Sequence, residues 1–160
     1  MKMDHKNYLD MRDEIKSGDI VAWQGRFTNS NVLKFFNQDI GHIGIAWVVS
    51  DRVFVIHALT KGIVMNPLSR LTPFCWLATG SEWREETQRF ALSELGRSYS
   101  YGDAIRSAFG MASASSGWAC GEYARAVLQK SDLHVTQDLP SKLVNEVLAL
   151  DPNRKLVKLF

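Results

Sequence analysis

The spacing of apolar and polar positions changes period along this chain. It is strand-like up to about residue 80 and helix-like beyond. Residues 4–17 are the exception, with Tyr8, Met11 and Ile15 at helical spacing and Ser17-Gly18-Asp19 as a stop, so an N-terminal helix is expected there. Ile20 to Trp23 is a short apolar strand. Ser30 or Asn31 can cap a short helix through Phe36. Ile43 to Val49 is apolar throughout, as a strand covered on both faces should be, and Arg52 to Ala58 reads as its antiparallel return across a Ser50-Asp51 turn. Gly62 to Met65 and Phe74 to Ala78 add further strands. Helices are expected over 82–95, 103–109, 120–130 and 140–148, then a terminal strand over 155–160. Strands first and helices after describe one α+β domain over 1–160, with its core at about 18–148.

The hairpin turn fixes which residues face one another. With Ser50-Asp51 at its centre, His57 stands opposite Gly44 and His42 opposite Leu59. Alternation then puts His42, Gly44, Ala46 and His57 on one face, the two imidazoles as diagonal neighbours. Gly44 and Ala46 are small, which leaves that face room for another element. The helix beginning at Cys120 is the expected occupant.

Cys120 lies where a glycine-containing loop meets that helix. Unpaired N–H groups and the macrodipole at a helix N-terminus favour a thiolate. A thiolate beside an imidazole, itself oriented by a third polar group, is the arrangement that nucleophilic catalysis needs. His42 is the candidate base and His57 the candidate orienter. Two blander readings stand beside this one: a pair of satisfied histidines in a half-buried hairpin, and a buried core cysteine. A zinc site from His42, His57 and Cys120 lacks any short-spaced ligand pair, so no metal or cofactor is expected. Cys75, between Phe74 and Trp76, reads as structural, and so does Asp19 at a turn and strand start.

Composition narrows the classes. Of the 160 residues, 46% are hydrophobic and 22% charged, which fits a folded domain, and a formal net charge of +2 without a Lys/Arg run argues against a nucleic-acid partner. The polar start of the chain and the absence of a long apolar run predict neither a signal peptide nor a spanning helix. The expected location is the cytoplasm, or a phage-associated or non-classically exported protein; the oligomeric state is open.

Several segments resemble the NlpC/P60 cysteine hydrolases. Gly18-Asp19-Ile20-Val21, Gly41-His42-Ile43-Gly44-Ile45 and Val55-Ile56-His57-Ala58 match the histidine half. Gly96-Arg97-Ser98-Tyr99-Ser100-Tyr101-Gly102 and Trp118-Ala119-Cys120-Gly121-Glu122-Tyr123 match the cysteine half. The cysteine half comes second, as in the circularly permuted branch with the YiiX-like hydrolases and, more distantly, the lecithin–retinol acyltransferase group. The resemblance implies a permuted papain-like fold, an antiparallel sheet carrying the histidines packed against the helix carrying the cysteine. It also implies Cys120 as nucleophile, His42 as base, His57 as orienter and Tyr99 as an oxyanion donor. Histidine at the third position departs from permuted members, which often carry a carboxylate there.

The implied activity is cleavage of an amide bond through a thioester, on a small peptide, a peptidoglycan fragment or an acyl lipid. A lipid acyltransferase or phospholipase using the same thiol, and a catalytically inactive binding module, are the alternatives.

Overall fold

The computed structural model describes residues 4–24, 40–98 and 119–160. Among these, seven strands form one sheet: β1 Asp4–Lys6, β2 Ile20–Trp23, β3 His42–Val49, β4 Arg52–Leu59, β5 Gly62–Pro67, β6 Phe74–Leu77 and β7 Leu156–Leu159. Their order is β1-β7-β6-β2-β3-β4-β5. Every pairing is antiparallel except β1 with β7, which is parallel. The described helices are α1 Tyr8–Met11, α2 Glu85–Ser93, α3 Cys120–Lys130 and α4 Pro140–Ala149.

The β3–β4 hairpin has the register read from its turn, with Val49 facing Arg52 and Ile45 facing Ile56. Ser50, at φ 54°, takes the left-handed conformation of the tight turn. The helix expected over residues 4–17 is corrected. Residues 4–6 instead pair with Val157 to Leu159, and Asn7 caps the following turn by accepting from the Leu9 N–H at 2.8 Å. The helix therefore begins at Tyr8 and gives way to a 3-10 turn at Arg12–Glu14. Its apolar side is as expected, with Tyr8, Met11 and Ile15 all buried. The helix expected over 82–95 is shorter, Glu85–Ser93. The helices expected through Phe36 and over 103–109 lie outside the described residues.

Two apolar layers cover the sheet. On one face Ile20, Ala22, Ile43, Ile45, Ile56 and Ala58 pack with Tyr123, Ala124, Val127 and Leu128 of α3 and with Leu143, Val144 and Val147 of α4. On the other, Val21, Trp23, Ala46 and Val55 pack with Tyr8, Met11, Ile15 and Leu68. Asp19 ties the turn before β2 to β6. Its buried carboxylate accepts from the Lys16 N–H at 2.9 Å, Trp76 Nε1 at 2.9 Å and the Thr79 N–H at 3.1 Å. Burial still raises its pKa above the usual carboxylate value, because desolvation outweighs those donors.

Candidate functional site

The first turn of α3 is held in place from both ends. Ala119 has no side-chain acceptor for the free N–H groups, but the Glu122 carboxylate reaches back to the Ala119 N–H at 3.1 Å, forming the acidic half of a capping box. Gly121 lets the turn approach the chain before α4. A Cβ there would lie 1.5 Å from the Asp138 carbonyl oxygen, so only glycine fits. Arg125 pairs with Asp138 at 2.8 Å on the same side. Ser141, in the first turn of α4, accepts from the Ile40 N–H at 3.1 Å and donates to the Ile40 carbonyl at 3.0 Å. That clamp fixes the chain two residues before His42.

Cys120 is the first residue of α3 and is buried. The N–H groups of Ile43, Gly121 and Cys120 itself face its sulfur and favour the thiolate. Burial outweighs them, and its pKa is raised. The expectation of a standing thiolate is therefore corrected: at neutral pH this is a thiol. The Ile43 contact follows from the strand. The N–H and C=O of Ala46 bond toward β2, through Asp19 and Gly18. Alternation turns the Ile43 N–H the other way, toward β4. The β3–β4 pairing stops at Ile45 and Ile56, so this N–H lies beyond the paired part of the ladder and meets the sulfur.

His42 and His57 do come together. His42 Nε2 and His57 Nδ1 are 2.9 Å apart, and both rings are buried. Trp23 lies tilted against them, its ring centroid 5.3 Å from His42 and 5.5 Å from His57. Burial, together with its neighbour's charge, pushes His42 down from 6.5 to about 3. Burial pushes His57 down from 6.5 to about 4. Both imidazoles are thus neutral near pH 7.

The face they occupy corrects the sequence expectation. They share it with Trp23, whereas α3 packs on Ile43, Ile45, Ile56 and Ala58 of the opposite face. The room beside Gly44 is filled by the partner strand: a Cβ on Gly44 would lie 2.7 Å from both His57 Cβ and Val55 Cγ2. Among the described residues no hydrogen bond joins Cys120 to His42. The thiol instead contacts the backbone of the next residue along β3. Tyr99 lies outside the described residues, as does Trp118.

Asn66 was missed in the sequence. Its Nδ2 lies 3.0 Å from His57 Nε2, extending the pair to His42–His57–Asn66. The signal was available: a turn at Thr60-Lys61 places Asn66 opposite Val55 on β4, on the histidine face and diagonal to His57. Cys75 is buried in the α3-side core, and burial raises its thiol pKa. His5 stacks on Phe160 at the surface, away from these groups.

No protein-family model matches the sequence, and no curated protein matches it. Solved structures do resemble the fold. One is the metalloprotein yiiX from Escherichia coli O157:H7, with a TM-score of 0.54 at 16% identity. The match covers 72% of this chain and 66% of that one, so this chain spans just under two thirds of the neighbour's length. The α+β architecture is thus YiiX-like. No helix among the described residues is long and apolar enough to cross a membrane.

Proposed function

We propose that this chain is a cysteine hydrolase of the permuted NlpC/P60 type, with Cys120 as nucleophile, His42 as general base and His57 as the group that orients it. The observation that carries the reading is the junction at the start of β3. A helix-terminal thiol contacts the Ile43 N–H, and the adjacent residue is an imidazole already bonded through Nε2 to a second imidazole. His57 occupies His42 Nε2, so His42 Nδ1 is the nitrogen left to serve as base.

The resting groups are neutral thiol and neutral imidazole. Attack is therefore coupled to proton transfer: the sulfur adds to an amide carbonyl as its proton passes to His42. The imidazolium then protonates the leaving amine, and water releases the acid from the thioester. N–H groups at the start of α3 supply hydrogen bonds for developing negative charge. Tyr99 is proposed as a further donor. The substrates proposed are small peptides, peptidoglycan-stem peptides and acyl-linked lipids.

The metal of the yiiX neighbour does not transfer to these residues. His42 Nε2 and His57 Nδ1 bond each other, and His57 Nε2 is engaged by Asn66. Among the described residues no cluster of three or more His, Cys, Asp or Glu side chains is arranged to hold a metal ion. No step here runs through one.

Turnover of a panel of peptides, muropeptides and acyl lipids by wild type, Cys120→Ala and His42→Gln tests the proposal. Cys120→Ala should abolish hydrolysis, and His42→Gln should slow it by about a thousandfold or more. Full activity in Cys120→Ala would remove the reading. Binding of a panel member without turnover in any of the three would identify a binding module instead.

A further inference from the structure

We infer that Asn66 is a positioning residue that sets the direction of the His42–His57 hydrogen-bond chain, and that His42 can take up a second proton only when the Asn66 amide oxygen faces His57. The inference rests on the reading of His42 as base. It follows from counting protons along two bonds, 2.9 Å between His42 Nε2 and His57 Nδ1 and 3.0 Å between His57 Nε2 and the Asn66 amide.

The neutral chain has two directions. In one, the direction the structure holds, the Asn66 Nδ2–H donates to His57 Nε2 at 3.0 Å, which puts the His57 proton on Nδ1. That proton is donated to His42 Nε2, so the His42 proton sits on Nδ1, and His42 has no lone pair for a thiol. In the other, Asn66 Oδ1 accepts from His57 Nε2–H, His57 Nδ1 accepts from His42 Nε2–H, and His42 Nδ1 carries the lone pair. The two differ by a half-turn of the amide and a shift of one proton within each ring, with no proton gained or lost.

Protonation selects between them. An imidazolium at His42 has N–H on both nitrogens, so His57 must accept at Nδ1 and carry its own proton on Nε2. That N–H must then find an acceptor at Asn66, which only Oδ1 supplies. A donor amide would instead set N–H against N–H in a buried site. No other described group competes for the pair. Trp23 faces it from β2, the two histidines face each other from β3 and β4, and Asn66 faces it from β5. No carboxylate or cation of the described residues shifts either ring. Asn66 is half-buried, which leaves its other amide atom room to turn.

The test is nitrogen-15 NMR of labelled histidines near pH 7 in wild type, Asn66→Asp and Asn66→Leu, with the backbone amide spectrum as the check on folding. Aspartate can only accept, so Asn66→Asp should show both histidines as the Nε2–H tautomer. Their protonation midpoints should rise by about one unit or more. Leucine offers no acceptor, and a buried orphan N–H is costlier than an orphan lone pair. Asn66→Leu should therefore move both protons to Nδ1 and slow alkylation of Cys120 by iodoacetamide about tenfold. Identical tautomers and midpoints in folded wild type and Asn66→Asp would overturn the inference, with no need for the leucine variant. The tautomers decide the role of Asn66. The alkylation rate of His42→Gln decides the role of His42 separately, so one reading can fail without the other.

Discussion

At the scale of single residues, the site is governed by desolvation. Both histidines have folded pKa values below their ordinary 6.5, at about 3 and about 4. Between those values and 6.5 the unfolded chain binds more protons than the folded one. Stability should thus be full above about pH 6.5 and fall as the pH drops toward 4. Urea denaturation across that range checks this, and His57→Gln should flatten the dependence. Cys120 has the opposite sign. Its raised pKa keeps the folded thiol protonated where an unfolded thiol ionises, so stability should decline above about pH 9. The identities of these residues were legible in the sequence. Their charge states were not, because burial is a property of what packs around them, and that comes from distant segments such as Trp23.

At the scale of elements, the β3–β4 register could be read from the Ser50-Asp51 turn because hairpin pairing is local. The side of the sheet taken by α3 could not, because it depends on which apolar rows the helix covers. Ile43, Ile45 and Ile56 take the helix, while the space beside Gly44 is filled by His57 and Val55 and Ala46 packs in the opposite layer with Tyr8 and Met11. Helix α3 is seated by two specific contacts that can be broken separately. Gly121→Ala forces a Cβ against the Asp138 carbonyl and should cost about 1–3 kcal/mol or more, read as a lowered denaturation midpoint. Tyr123 donates to the Ala91 carbonyl at 3.0 Å, joining α3 to α2. Tyr123→Phe leaves that buried carbonyl unpaired and should cost about 1–3 kcal/mol with the fold kept.

At the scale of the whole molecule, the two chain ends complete the sheet. β7 lies between β6 and β1, and Phe160 donates to the Lys6 carbonyl while Tyr8 donates to the Phe160 carbonyl. A chain ending at residue 155 loses β7, strips β6 and β1 of a partner and takes the buried Leu156, Val157 and Leu159 out of the core. It should lose its cooperative thermal transition by circular dichroism. The terminal strand was visible as an apolar run, but its parallel pairing with residues 4–6 joins segments about 150 positions apart and had no local signal. Hydrolysis by this route needs a thiol on one face of this sheet to act with an imidazole on the other, across the end of the β3–β4 ladder. The most direct measurement is the rate of Cys120 alkylation by iodoacetamide at pH 7 in the folded Cys75→Ser protein, with and without His42→Gln. Removing the imidazole should slow alkylation about tenfold or more; equal rates in the two proteins would contradict a Cys120–His42 pair.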